Sequence, residues 1–272
     1  MSTTSQLQLG ALTRNSMLEL ILTAGLLFGV TTIVRFIVGA SPISRAFPQI
    51  HVQLFLVGAL VAVLLSLLIT SRAGKGSGGH MNPAISLAMW RFGVFPAVGI
   101  VPYITAQLLG SILGVLAARA VWGEVVARPP VMYAVIQPAP DWSSAQLFAA
   151  ELILMALIVF LVGYFLSNPR LAPKVPWLVG ILIGLGIALL GTQSGGSLNP
   201  ARQFGPAIAS AHTAKLWVFL VAPMVGAELG AQLLHRLRKR RQVLTHRLCG
   251  THPDGTRMDD PSGEARPLAK AA

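Results

Sequence analysis

The feature that most constrains the fold is a short stretch that occurs twice. The first copy runs Gly78-Gly79-His80-Met81-Asn82-Pro83-Ala84, and the second runs Gly195-Gly196-Ser197-Leu198-Asn199-Pro200-Ala201. Each copy has a pair of glycines, two further residues and then Asn-Pro-Ala, and a little under half the chain separates the two asparagines. Both copies lie between long apolar runs. The chain is therefore an internal repeat with one such element in each half.

Each Asn-Pro-Ala predicts the start of a short helix. Asparagine is a favourable N-cap, and proline suits the first helical position because its missing N–H would have no partner there. We expect helices from Pro83 to about Arg91 and from Pro200 to about Ser210. The glycines before them let the chain run extended with its carbonyls turned to one side. At membrane depth such irregular backbone must line a wet cavity or be buried in protein.

The composition is that of a membrane protein. Of 272 residues, 54% are hydrophobic and 11% are charged, whereas soluble domains carry about 25% charged residues. Six apolar runs approach the roughly 20 residues that a helix needs to cross a bilayer. They are about Met17–Val38, His51–Thr70, Val94–Ala118, Ala145–Leu166, Val175–Thr192 and Lys215–Leu234.

The order of these segments predicts an inverted repeat. Two spans, a re-entrant segment and a third span occur twice. Because each half has an odd number of spans, the second half has the opposite orientation in the membrane. The predicted fold is an all-α membrane protein with six transmembrane helices plus two re-entrant half-helices. The predicted parts are a cytoplasmic segment 1–15, a channel domain 16–237 with repeats at about 16–120 and 143–237, and a mobile, dispensable cytoplasmic tail 238–272.

Positive charge predicts the orientation, because cytoplasmic loops carry an excess of Lys and Arg. If both termini lie on the cytoplasmic side of the cell membrane, the cytoplasmic segments hold twelve Lys and Arg residues and the outer segments hold six. The inner twelve are Arg14, Arg72, Lys75, Arg91, Arg170, Lys174, Arg236, Arg238, Lys239, Arg240, Arg241 and Arg247. Much of the net charge of +12 thus lies beside a span, which favours anionic lipid over nucleic acid as its partner.

Three acidic residues fall within apolar runs, where a carboxylate is costly and indicates a function or a partner. Glu19 and Glu151 open the first and fourth spans in matching Glu-Leu-Ile-Leu sequences. We interpret both as acceptors for backbone N–H groups of a re-entrant loop, with a helix end near the headgroups as the alternative for Glu19. Glu228 lies outside the repeat, and we interpret it as an inner-end residue paired with Arg72, Arg236 or lipid.

Two such motifs in matching places resemble the aquaporin, or major intrinsic protein, family over about residues 16–237. The resemblance implies a passive channel without a cofactor, assembled as a homotetramer with a pore in each protomer. An enzyme is not indicated, because no histidine has a metal-ligand spacing and no nucleophile lies beside a base. A proton-coupled transporter is the less favoured alternative: it needs titratable groups at the midplane, and the tips of both loops lack acids.

The repeated stretch also predicts the working parts of a pore. The side chains of Asn82 and Asn199 present N–H donors at the centre, where two half-helix N-termini add positive potential. Carbonyl groups form an acceptor ladder on either side, from Gly78, Gly79, His80, Gly195, Gly196 and Ser197. His80 has two readings, since it either lines the inner half of the pore or pins its loop by a hydrogen bond.

The choice of solute is predicted to lie in a constriction around Arg202. By resemblance, and counted without gaps from the two asparagines, its other walls are Ala62, Ile187 and Gly196. Strict water channels of the family place an aromatic residue and a histidine here, and this chain has neither. The filter therefore resembles the polyol- and metalloid-conducting branch, including the nodulin intrinsic proteins and aquaglyceroporins. We expect water, glycerol, urea, and boric or arsenous acid to pass, with a strict water channel as the alternative.

Overall fold

A computed structural model of the chain describes residues 3–237, 242–252, 256 and 258. Its α-helices are α1 Thr3–Ile37, α2 Pro42–Ala46, α3 Ile50–Thr70, α4 Arg72–Ser77, α5 Pro83–Arg91, α6 Ile100–Trp122, α7 Ser144–Leu166, α8 Val175–Leu190, α9 Pro200–Ser210 and α10 Leu216–Leu237. Six of them are long and apolar enough to cross a membrane, namely α1, α3, α6, α7, α8 and α10. The predicted all-α fold with six spans is confirmed.

Two helices differ from the predicted spans at their starts. Helix α1 already begins at Thr3, within the segment predicted to precede the first span. Helix α6 begins only at Ile100, after a 3-10 turn that Pro96 precedes, whereas the apolar run starts at Val94. Gly93, with φ of 77°, and Pro96 break the helical path between α5 and α6.

The spans pack in pairs that repeat between the halves. Helix α1 packs on α6, α7 packs on α10, and α3 of the first half packs on α8 of the second. Glycine allows close backbone approach at each contact. A Cβ added at Gly110 would strike the carbonyl of Leu20, and one at Gly226 would strike the carbonyl of Leu152.

The half-helices begin and end where the sequence predicts. In each, the N-cap asparagine accepts a hydrogen bond from the second residue after it, at 2.9 Å from Asn82 Oδ1 to Ala84 N and 2.9 Å from Asn199 Oδ1 to Ala201 N. Helix α5 runs to Arg91 and α9 runs to Ser210. Helix α9 packs between α6 and α10, and α5 contacts the same two spans.

The short helix α4 was not predicted. It occupies residues that the sequence indicates as extended glycine-rich backbone. Ser71 caps its N-terminus by accepting from the N–H of Gly74 at 3.1 Å, and Gly78 ends it with φ of 107°. Only four residues therefore remain between α4 and the asparagine that begins α5.

The C-terminal part of the chain also departs from the prediction. The inner end of the bundle is defined as the end at which α1 begins. Because the chain crosses the bundle six times, α10 finishes at this same end. Residues 242–252, the C-terminal strap, fold back onto this inner end, with Leu248 and Cys249 buried. The predicted mobile tail is wrong for this segment, because its apolar residues find a binding surface there. The basic residues 238–241 and most of 253–272 lie outside the described residues.

Candidate functional site

A cavity of ≈ 410 Å³ runs through the bundle between the two halves. Its walls are mostly apolar and come chiefly from α3 and α8, the C-terminal part of α1 and the middle of α7. The polar residues that line it are His80, Asn82, Gln137, Ser197, Asn199 and Arg202. None of the described residues that line this cavity carries a carboxylate. The site thus combines an apolar lining with a small set of polar side chains.

The two asparagines lie close together among these polar residues, and each donates a hydrogen bond to the other's loop. Asn82 Nδ2 donates to the carbonyl of Leu198 at 2.9 Å, and Asn199 Nδ2 donates to the carbonyl of Met81 at 2.9 Å. An amide nitrogen carries two hydrogens, so each asparagine keeps a second donor. Both residues line the cavity, and both hold the positive ends of the half-helices at its centre.

Glu19 lies buried beside the first loop and accepts four hydrogen bonds. Its Oε1 accepts from Ser77 Oγ at 2.6 Å and from the N–H of His80 at 3.0 Å. Its Oε2 accepts from the N–H of Met81 at 2.7 Å and from Gln107 Nε2 at 2.9 Å. This is the geometry that the loop-supporting interpretation requires.

Glu151 repeats the arrangement at the second loop. Its Oε1 accepts from Ser194 Oγ and from the N–H of Ser197, both at 3.1 Å, and its Oε2 accepts from the N–H of Leu198 at 2.6 Å. Met81 and Leu198 have φ of 49° and 52°, a region that non-glycine residues avoid at a cost of order 1–3 kcal/mol. The carboxylates therefore hold both loops in a conformation that they would not keep alone.

Arg202 lies beside the second asparagine and lines the outer part of the cavity. Its Nη1 donates to Gln203 Oε1 at 3.3 Å. The same oxygen accepts from the N–H of Ile136 at 3.1 Å, and Gln203 Nε2 donates to the Ile136 carbonyl at 2.9 Å. Sequence reasoning missed Gln203, which fastens the outer loop to the filter. A polar residue directly after Arg202, in the predicted half-helix, was the available signal.

The wall position predicted on α3 needs a correction. Ala62 does not line the cavity; its Cβ faces α8, 3.1 Å from where a side chain at Gly184 would begin. One residue earlier, Val61 is buried and lines the cavity, as does Val57 one turn away. One position turns a helix by about 100°. The ungapped count from Asn82 passes through the turn between α3 and α4, where a shift of one residue is enough to misplace it.

Ile187 and Gly196, the wall positions proposed in the second half, are among the residues that line the cavity. Ile187 is 9% exposed, and Gly196 lies directly against α8. A Cβ at Gly196 would fall 2.5 Å from the Gly186 carbonyl oxygen, and the glycine φ is 57°. Glycine is therefore required at this position by backbone packing as well as by pore width. A substitution there would move the loop, so tests of the filter belong at Val61 and Ile187.

Only part of the predicted ladder of carbonyl acceptors belongs to residues that line the cavity. Gly195, Gly196 and Ser197 line the cavity from the second loop, whereas His80 is the only one of the three first-loop residues of the ladder that does. His80 also pins its loop, with Nδ1 3.1 Å from Ser86 Oγ and Nε2 3.0 Å from the His246 carbonyl of the strap. Both readings of His80 thus describe the same side chain.

Glu228 pairs with a residue that the sequence did not indicate. Its Oε2 lies 2.7 Å from Arg91 Nε, and its Oε1 accepts from Gln232 Nε2 at 2.7 Å. The predicted partners were Arg72 or Arg236. Helix α5 brings Arg91 against α10, a tertiary contact that sequence spacing cannot show. The ion pair lies away from the residues that line the cavity.

Six spans around a lined cavity, with two half-helices meeting at its centre, define a multi-pass membrane channel. Residues 15–234 match the family described as major intrinsic protein. The chain therefore belongs to the major intrinsic protein family, the family of the aquaporins. Its members are passive channels, and the chain is not an enzyme.

Relatives from plants and archaea support this assignment. The chain is 34% identical to the probable aquaporin NIP7-1 of Arabidopsis thaliana, over 63% of this chain and 61% of that protein. It is 32% identical to aquaporin NIP3-1 of Oryza sativa subsp. japonica, over 67% of this chain and 55% of that protein. The match thus spans less than two thirds of these plant proteins. The probable aquaporin AqpM of Archaeoglobus fulgidus is 35% identical over 68% of this chain and 77% of its own length.

A solved structure shares the fold. The X-ray structure of the aquaglyceroporin from Plasmodium falciparum superposes with a TM-score of 0.66 at 24% sequence identity. The superposition covers 82% of this chain and 95% of that one. The shared fold therefore extends over nearly all of the Plasmodium chain.

Proposed function

We propose that this protein passively conducts water and small uncharged hydroxylated solutes, such as glycerol, urea, and boric or arsenous acid. The observation that carries the proposal is the wall of the cavity that Arg202 lines together with Val57, Val61, Ile187 and Gly196. None of these four residues is aromatic or histidine. The wall leaves room for the carbon skeleton of a small solute, and the guanidinium offers hydrogen-bond donors to its oxygen atoms.

The same site opposes ions and protons. The N-termini of α5 and α9 place positive potential at the centre of the cavity, which repels cations. A water molecule that accepts hydrogen bonds from both Asn82 and Asn199 turns its hydrogens away from them, and this interrupts a proton wire. An anion would lose its hydration against an apolar wall that gives little in return.

A coupled transporter fits the site less well. Glu19 and Glu151 are occupied by loop donors, and Glu228 is paired with Arg91. No described carboxylate is left on the cavity wall to carry a proton or bind sodium. Proton-driven uphill uptake in vesicles would restore the transporter.

The proposal predicts that narrowing the wall excludes solutes before water. Val61→Phe and Ile187→His, made separately, should reduce glycerol permeability at least about tenfold, since a few atoms in a tight site change energies by about 1–3 kcal/mol. Water permeability should fall much less, because water is the smaller molecule. Light scattering from reconstituted vesicles in paired water and glycerol gradients measures both rates.

Val63→Phe is the matched control for this experiment. It adds the same ring two residues later on α3, where Val63 is 46% exposed on the outer face of the bundle. Glycerol flux should stay at the parental rate in this variant. Fast water flux with no glycerol or urea flux in the parent protein would show a strict water channel instead.

The proposal includes the setting of the channel. We place the protein in the cell membrane as a homotetramer, with a complete pore in each protomer. The tetramer rests on family resemblance. The orientation, with the inner end and both termini in the cytoplasm, rests on the excess of Lys and Arg in the inner segments.

A further inference from the structure

The C-terminal strap, residues 242–252, lies across the inner mouth of the cavity. Leu244 N–H donates to the carbonyl of Leu166, the last residue of α7, at 3.1 Å. Leu248 N–H donates to the carbonyl of Gly78 at 3.0 Å. The strap thus joins the end of a second-half span to the re-entrant loop of the first half.

The middle of the strap is held by aromatic and histidine rings. The His246 ring lies 5.6 Å from the His80 ring and 5.5 Å from the Phe95 ring, centroid to centroid. The His246 carbonyl is 3.0 Å from His80 Nε2. A pore-lining side chain is therefore in direct contact with the strap.

Leu248 extends from the strap into the cavity. It is 1% exposed, and it is the strap residue that lines the cavity. Its N–H donates to the carbonyl of Gly78, which fixes the side chain at the first re-entrant loop. An apolar side chain at a narrow mouth excludes water, and hydrophobic constrictions gate channels in this way.

The strap is built to dock as a unit. Thr245 Oγ1 donates to the carbonyl of Thr251 at 3.1 Å, and Arg247 Nη1 donates to the carbonyl of His252 at 3.1 Å. Gly250, with φ of 66°, lies so close to the turn between α7 and α8 that a Cβ there would strike the carbonyl of Ala172. These contacts give the strap its own folded turn and a shaped surface to sit on.

We propose that the C-terminal strap is an autoinhibitory plug: when docked, it closes the inner mouth with Leu248, and when released, it opens the channel. This inference rests on the proposed function, since a plug needs a conducting pore. Two backbone hydrogen bonds, the contact between His80 and the His246 carbonyl, and buried apolar side chains attach the strap to the core. A segment of eleven residues attached in this way can open locally without unfolding the bundle.

Cys249 reports docking independently of flux. It is the single cysteine of the chain, and the docked strap buries it to 6% exposure. Two full-chain variants should undock the strap. Gly250→Val collides with Ala172, and Leu248→Glu places a carboxylate in the apolar mouth. Gly93→Val is the matched control, because Gly93 has a similar φ of 77° and open space around it.

In detergent-solubilised protein, a maleimide should label Cys249 slowly in the parent and in Gly93→Val. Labelling should be at least about tenfold faster in Gly250→Val and Leu248→Glu, as expected when a minor undocked state becomes dominant. Equal labelling rates in the parent and both undocking variants would overturn docking. Because two different changes are used, poor folding of one does not remove the test.

In vesicles, glycerol and water flux per protein should rise by a similar factor in the undocking variants and stay parental in Gly93→Val. Equal, measurable flux in all four proteins would overturn the plug and leave the proposed function standing. Fast labelling of the variants with no flux in any protein would overturn both, since the strap would then close nothing.

Discussion

At the scale of single residues, His246 is the strap group that most directly senses pH. Burial lowers its pKa from the ordinary value to about 3, and the nearby His80 and Arg247 act in the same direction. The groups that face it are these two, with Glu19 and Tyr103 packed around His80. A proton on His246 is therefore disfavoured in the docked strap and allowed in the released one.

The sign of the pH effect follows from this direction. Docking is at full strength above the ordinary histidine pKa of about 6.5 and weakens as the pH falls below it, by up to about tenfold per pH unit. Glycerol flux should therefore rise severalfold between about pH 7.5 and about pH 5.5. His246→Phe should remove the rise, whereas His212→Phe, at an exposed position, should keep it. Flux that falls with acid, or that rises equally in His246→Phe, would contradict this account.

At the scale of elements, local signals were enough for the half-helices and insufficient for what holds them. Asparagine caps and proline starts act within one turn, so α5 and α9 were predictable to the residue. Helix α4 has a local cap at Ser71, but two of its six residues are glycines, which disfavour a helix. The strap depends on a surface formed by three distant segments. Neither leaves a periodic signal. The misplaced Ala62 has the same origin, because the rotation of α3 is set by its packing on α8.

The close packing of α3 on α8 can be tested by substitution. Gly58 and Gly184 bring the two backbones so close that a Cβ on either would strike the other's carbonyl. Gly184→Leu should separate the helices and lower the free energy of unfolding by about 1–3 kcal/mol. Thermal unfolding in detergent measures the loss. Gly10→Leu, at an α1 position with no neighbour within 4 Å, should leave the midpoint unchanged; a loss as large in Gly10→Leu would argue against a special role for the contact.

At the scale of the whole molecule, the outer surface carries many exposed apolar side chains. Val98, Val101, Ile153 and Leu189 are each more than 60% exposed on the protomer. Such residues face lipid or neighbouring copies, and the proposed tetramer assigns part of this surface to subunit contacts. Native mass measurement in mild detergent should give four copies of the 28.8 kDa chain. A stable monomer that still conducts would refute the tetramer and leave the single-protomer pore intact.

The crossed hydrogen bonds of the two asparagines impose an order on biosynthesis. Asn82 needs the carbonyl of Leu198, and Met81 needs the amide of Asn199, yet translation supplies the first pair of groups long before the second. In that interval the first loop holds polar groups without partners at a depth where water is scarce and such groups are costly. Final closure of the loops must wait for the second half to insert. A nascent chain halted between the repeats is consequently no half channel, because the first loop then lacks the groups with which Asn82 and Met81 pair.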